Sequence, residues 1–152
     1  MVKNGNIDLS EIHLTDEEIR SISQIQFVAC GSAYHVGVAA QYVIEDLAKI
    51  PVRVELASEF RYRRPLLDPN ALVVVISQSG ETADTLAALR LAKEKGVRTL
   101  AIVNVVGSSI AREADNVFYT LAGPEIAVAT TKAYSTQLIA CYALAVQFAL
   151  VR

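Results

Sequence analysis

Ala71-Leu72-Val73-Val74-Val75-Ile76 runs without a break into Ser77-Gln78-Ser79-Gly80-Glu81-Thr82, and a helix-forming stretch from Ala83 to Lys95 follows, closed by Gly96. Six consecutive apolar residues rich in valine read as a strand buried on both faces, as in a parallel sheet. The stretch to Lys95 is rich in Ala, Leu and Lys, which lose little on entering a helix, and Gly96 suits its end. What lies between is therefore a strand-to-helix turn with three hydroxyls, an amide side chain and one glycine. Free backbone N–H groups at a helix N-terminus, joined by hydroxyls, suit an anion and a phosphate above all. Ordinary capping also uses Ser and Thr, and Gly is common in turns. A cap needs one hydroxyl, whereas Ser77, Ser79 and Thr82 crowd into six positions. On local chemistry the phosphate cradle and the capped turn stand side by side.

Outward from this unit the same alternation repeats. Gln24 to Cys30 predict a first strand, and about Ala33 to Lys49 a helix with Val36, Ala40, Val43 and Leu47 on one face, stopped by Pro51. Val52, Val54 and Leu56 alternate with polar residues as a second strand; Ser58–Pro65 reads as irregular or briefly helical, and Asp68-Pro69-Asn70 as a turn. Val97 to Val103 and Asn116 to Thr120 complete five strands, with a short helix over Ser109–Ala114 between them. The loop Ala122–Ala129 leads into a long helix from about Thr131 to Val151. At the other end, residues 1–14 read as a polar, irregular linker, and Asp16-Glu17-Glu18 open a short helix with acids suited to its dipole. The expectation is an α/β domain over residues 15–152, with a single doubly wound five-stranded parallel sheet flanked by helices on both faces. Ligands of such sheets sit beyond the carboxyl ends of the strands, near the switch in strand order. Gly31-Ser32, Ser77–Thr82 and the 122–131 loop would share that edge.

Composition narrows the classes. The 152 residues suit one domain with a full core, and 53% apolar with 20% charged residues excludes disorder. A net charge of −2 gives no electrostatic case for nucleic acid. The basic cluster Arg61-Tyr62-Arg63-Arg64 reads as a solvated loop, with a sugar-phosphate contact as the alternative. Cys30 and Cys141 fit no metal spacing or CxxC pattern; read as reduced core residues, they favour a cytoplasmic protein. Leu138 to Val151 is apolar except for Gln147 but falls short of the roughly 20 residues a membrane span requires, so an interior helix is the better reading. With Arg152 directly after it, the expectation is a chain cut from something longer. A nucleotide is a weak ligand here: Gly31-Ser32-Ala33-Tyr34-His35-Val36-Gly37 lacks GxGxxG spacing, no GxxxxGK[ST] occurs, and Glu55 only loosely imitates a ribose-binding acid.

Four motifs occur in order: Cys30-Gly31-Ser32-Ala33-Tyr34, Ala57-Ser58-Glu59-Phe60-Arg61-Tyr62-Arg63, Ser77 through Thr85, and Ala129-Thr130-Thr131-Lys132-Ala133. Together, from about Ile25 onward, they resemble the sugar isomerase (SIS) domain, a flavodoxin-like three-layer sandwich. The likeness is greatest to the isomerase part of the enzymes that make glucosamine 6-phosphate from fructose 6-phosphate and glutamine. The resemblance implies Ser77, Gln78, Ser79 and Thr82 as the phosphate-binding set and Ser32 as a contact from the first turn. It implies Val128 and Thr130 as contacts to the sugar. Some members carry a serine at the position of Ala33, and some a serine at that of Thr130. No cofactor and no metal is implied.

The resemblance also implies parts that this sequence does not contain. Such enzymes have an N-terminal glutaminase domain with a nucleophilic cysteine, two SIS repeats, and a homodimeric assembly. Their proton-transferring Glu, ring-opening His and Schiff-base Lys belong to the second repeat or the C-terminal tail. Glu81 reads as a structural or helix-dipole residue, since a phosphate beside it would oppose its charge. His35, Lys132 and His13 read as packed, solvent-facing or interface residues. No residue is assigned a catalytic role. The expectation is a sugar-phosphate-binding subdomain without turnover of its own. The alternatives are a stand-alone SIS module that senses a sugar phosphate, and a structural module dimerising through the 131–151 helix.

Overall fold

The computed structural model describes residues 2–3, 6–126 and 130–152. Val2–Lys3 (β1) and Asn6–Ile7 (β2) pair antiparallel, and a 3-10 turn at Ser10–Ile12 leads to α1 (Asp16–Ser21). The main alternation follows as β3 (Gln24–Ala29), α2 (Ser32–Ala48), β4 (Val52–Leu56), α3 (Ala57–Phe60) and β5 (Ala71–Ser77). It continues as α4 (Ala83–Glu94), β6 (Arg98–Val103), α5 (Ser109–Glu113), β7 (Asn116–Tyr119) and α6 (Lys132–Val151). The five longer strands form one sheet in the order β4-β3-β5-β6-β7, and every neighbouring pair is parallel.

The apolar run of β5 lies at the centre of this sheet, and all seven of its residues are buried. Its side chains alternate between two cores. Leu72, Val74 and Ile76 join Ile25, Phe27 and the inner sides of α2 and α6. Ala71, Val73 and Val75 join Val28, Ala57, Phe60, Ala88, Leu89 and Ile110 on the face covered by α3, α4 and α5. Helices on both faces let a continuous apolar strand satisfy the hydrophobic effect twice.

The order also sets where a ligand can enter. From β3 the chain turns to the edge strand β4, then returns across β3 to β5 on its other side. Ala29 is level with Ile76 in register, so the turns after β3 and β5 leave from adjacent points. One turn feeds α2 on one face and the other feeds α4 on the opposite face, which opens a crevice between them.

Several local expectations need correction. On α2 the buried side is Ala33, Val36, Gly37, Ala40, Ile44 and Ala48, whereas Leu47 is exposed, so the apolar stripe is rotated toward Ile44. The helix ends at Ala48, with Lys49 in a left-handed conformation at φ 56°. Helix α6 is long and apolar enough to cross a membrane by length and composition. It packs instead along α2 and the sheet, with Ala140, Cys141, Leu144 and Phe148 in the core and Ile139, Tyr142 and Leu150 exposed on its outer side. Arg20 Nε donates to the Val151 carbonyl at 3.0 Å, and Arg152 donates to the carbonyl of Ile22 at 2.9 Å, tying the end of α6 to α1. Burial pushes the Cys141 thiol pKa far above its ordinary value. Cys30 is a free, half-buried thiol just past the end of β3, packed against the margin of the core under α3, α4 and α5.

The described residues before Thr15 do not form an irregular linker. Leu9 and Ile12 are buried in the α2–α6 core. Asn116 Nδ2 donates to the carbonyls of Ile12 at 2.8 Å and His13 at 3.2 Å, anchoring the segment to the edge strand β7. Thr15 and Glu18 then form a capping box on α1: Glu18 N–H donates to Thr15 Oγ1 at 3.2 Å and Thr15 N–H to Glu18 Oε2 at 2.8 Å. Replacing Asn116 by alanine leaves both carbonyls without their donor and is expected to lower stability by about 1–2 kcal/mol. Amide exchange at residues 9–13 should accelerate in the variant. Unchanged exchange there would contradict the anchoring role.

Candidate functional site

The hydroxyls of the turn after β5 do not bond as helix caps. Thr82 is the N-cap residue of α4, but its side chain makes no capping hydrogen bond. Its hydroxyl is 2.9 Å from Ser77 Oγ, which in turn accepts the Gly80 N–H at 3.0 Å. Ser79 Oγ accepts the Glu81 N–H at 3.1 Å. So none of the three hydroxyls closes the first turn of α4; they shape the loop and leave the helix N–H groups without a capping side chain. The same holds for α2, where Gly31 occupies the N-cap position and has no side chain to offer.

The loop is braced from behind. Gly80 accepts the Ile110 N–H at 3.0 Å, and Gln78 accepts the Asn104 N–H at 3.2 Å through their carbonyls. Glu81 Oε1 accepts the Ser109 N–H at 2.7 Å, which joins the loop to α5. That hydrogen bond, with the charge of Arg112 nearby, holds the Glu81 carboxyl below its ordinary pKa near 4.5. The structural role expected for Glu81 is the one observed. Because the folded-state pKa is depressed, the contribution of Glu81 to stability is complete above the ordinary value and lost as pH falls through the lower one. The difference in melting temperature between wild type and Glu81→Gln should accordingly be largest near neutral pH and shrink below about pH 4.5. A difference independent of pH would contradict this bond.

Between the α2 and α4 N-termini lies a cavity of about 380 Å³. Ser32, Ser77, Gln78, Ser79, Thr82 and Thr130 all line it, so six of the seven predicted contacts converge. Val128 lies outside the described residues. Ala33, the position where some members of the family carry serine, lines it too, as do Cys30 and Ile76. Sequence reasoning missed Glu125 and Gln137. Glu125 lies in the loop assigned to this edge; its Oε2 accepts Thr130 Oγ1–H at 3.0 Å and the Ala133 N–H at 3.4 Å. Gln137 could have been found as a polar residue on the side of α6 otherwise formed by Ala133, Ala140 and Cys141.

Other polar candidates lie elsewhere. Arg61 pairs with Asp84 at 2.6 Å, and Arg63 is bonded to Glu55, so neither guanidinium lines the cavity. His35 is exposed on α2, packed edge-to-face on Tyr34 at 5.3 Å between centroids. Lys132 and His13 are exposed. Among the described lining residues Glu125 alone carries a charge, so hydroxyls, an amide side chain and helix N–H groups supply the favourable environment for an anion.

The chain is similar to known proteins. The chain is 61% identical over 144 residues to the glutamine–fructose-6-phosphate aminotransferase [isomerizing] of Clostridium tetani, covering 95% of this chain and 24% of that protein. It is 60% identical over 150 residues to the protein of the same name from Caldanaerobacter subterraneus subsp. tengcongensis, covering 99% and 25%. The chain thus spans about a quarter of the length of these relatives. The solved C-terminal domain of glucosamine-fructose-6-phosphate aminotransferase from Francisella tularensis superposes with a TM-score of 0.93 at 44% identity. That match covers 99% of this chain and 42% of that one. Residues 18–147 match the SIS domain, and with the parallel sheet, the switch-point crevice and the hydroxyl-lined loop they establish that this chain belongs to the SIS domain family.

Proposed function

We propose that this chain is the sugar-phosphate-binding subdomain of a glutamine–fructose-6-phosphate aminotransferase (isomerising), a transferase also called glucosamine-6-phosphate synthase. In that reading the loop 77–82 holds the phosphate of fructose 6-phosphate or glucosamine 6-phosphate. Ser32, Ser77, Gln78, Ser79 and Thr82 meet the phosphate end, and Val128 and Thr130 the sugar. The observation that carries the reading is the inward arrangement of the three loop hydroxyls beside an uncapped helix N-terminus, in a crevice shared with a second helix start. The high identity to two named aminotransferases supports the same assignment.

Within the whole enzyme, ammonia from glutamine aminates the ketose, and isomerisation of the imine gives the aldose. Glutamine hydrolysis, ring opening and proton transfer fall to an N-terminal glutaminase domain and a second SIS repeat. The assembly is a homodimer in the cytoplasm, binds neither nucleic acid nor membrane, and uses no metal or cofactor. The division of labour follows from chemistry: the ketose–aldose step needs a base beside C1 and C2, and this pocket presents mainly neutral donors.

The test is residue-resolved. Addition of glucosamine 6-phosphate should shift the backbone amide resonances of Ser32, Ser79 and Ala83–Thr85, whereas unphosphorylated glucosamine should not. Shifts confined to a different face would contradict the assignment. The chain alone should also form no glucosamine 6-phosphate from fructose 6-phosphate and ammonia; substantial product would overturn the subdomain reading.

A further inference from the structure

We propose that Gln137 reads the sugar, so that this pocket distinguishes a phosphorylated sugar from phosphate itself; the inference rests on the sugar-phosphate reading above. Gln137 lies in the second turn of α6, on the side formed by Ala133, Ala140 and Cys141. It is only 2% exposed, yet it lines the cavity together with Ser32, Ser77 and Ser79. Among the described residues its side-chain amide has no hydrogen-bond partner, and it is not sealed from solvent but opens onto the cavity. An amide that opens onto a polar cavity without a protein partner is satisfied by water and is free to exchange that water for a ligand group.

The chemistry of the amide identifies what it meets. It carries two donor hydrogens and two acceptor lone pairs, the complement of a hydroxyl, which both donates and accepts. A phosphate dianion only accepts, and the loop hydroxyls of Ser77, Ser79 and Thr82 already serve that end. Glu125 lines the same cavity and is bonded to Thr130 and to the start of α6. A carboxylate beside the phosphate would oppose it, so the side of the cavity lined by Glu125, Thr130 and Gln137 takes the uncharged, hydroxyl-bearing end of the ligand. An amide that a sugar hydroxyl satisfies adds affinity only for ligands that carry the sugar.

The test compares wild type with Gln137→Met, of similar length and helix-compatible, and with Gln137→Leu as a second apolar variant. Each is titrated with glucosamine 6-phosphate and with inorganic phosphate, and its melting temperature is recorded without ligand. We expect affinity for glucosamine 6-phosphate to fall roughly 10-fold or more, a loss of about one hydrogen-bonding group. Affinity for inorganic phosphate should stay unchanged, and the ligand-free melting temperature should hold. Unchanged affinity for the sugar phosphate, an equal loss for both ligands, or a lower melting temperature in both variants would overturn the role of Gln137. A wild-type chain that binds glucosamine 6-phosphate no better than phosphate would instead overturn the sugar-phosphate reading on which it rests.

Discussion

Alanine at Gly80 is expected to abolish sugar-phosphate binding and to lower the stability of the domain by about 2–5 kcal/mol. Two effects add. Gly80 has φ 67°, a left-handed conformation that costs an alanine roughly 1–2 kcal/mol. A Cβ there would also lie 2.0 Å from Ser108 Oγ and 2.5 Å from Ser108 Cβ. The hydroxyl can rotate away, but the Cβ of a buried residue at the start of α5 can yield only if that helix or the loop shifts. Any shift strains the Ile110 to Gly80 and Ser109 to Glu81 bonds, which brace the cradle from behind. Gly96→Ala is the control: its φ is 71°, with nothing within 4 Å of an added Cβ, so it carries the conformational cost alone. Urea unfolding should therefore place Gly80→Ala well below Gly96→Ala. Equal midpoints would mean that Ser108 does not confine the loop.

Ser77→Ala is expected to weaken sugar-phosphate affinity by 10-fold or more and to cost about 1–3 kcal/mol. Ser77 is 3% exposed and its hydroxyl is the hub of the turn, accepting from Gly80 N–H and sharing a hydrogen with Thr82. Without it the buried Gly80 N–H loses its partner, and the Thr82 hydroxyl is released. A freed Thr82 side chain can fold onto the first turn of α4, the ordinary position of an N-cap, and occupy the N–H groups that the proposed cradle leaves open. The substitution thus converts a cradle into a capped turn. Stability lost with affinity intact would show that Ser77 only builds the loop; the account predicts that both fall together, as read by urea unfolding and ligand titration.

Much of this architecture was legible because one strand announces it. A run buried on both faces has few homes outside a parallel sheet, and the hydroxyl-rich turn directly after it lies on the edge where such sheets bind ligands. The ordered motifs then placed Ser32 and Thr130 in the same crevice, although Thr130 is more than fifty residues from Ser77. What stayed hidden depended on side-chain direction in the folded state. Periodicity on α2 allowed two adjacent stripes, and contact with α6 and the sheet selected the one through Ile44 rather than Leu47. The segment before Thr15 looks polar, yet two apolar residues, Leu9 and Ile12, suffice to seat it once Asn116 holds the carbonyls at its end. Cys30 follows an apolar run, but β3 ends one residue earlier and leaves the thiol at the cavity. Gln137 and Glu125 carry no motif, and only the folded positions of α6 and of the loop before it bring them to the cavity.

The central claim, that the 77–82 loop is a phosphate cradle for a sugar, is tested most directly by calorimetric titration of the chain with glucosamine 6-phosphate. Glucosamine without phosphate and a Ser79→Ala variant serve as controls. The account predicts binding that requires the phosphate and weakens in the variant. Absence of binding at millimolar ligand, or binding indifferent to both the phosphate and Ser79, would contradict it.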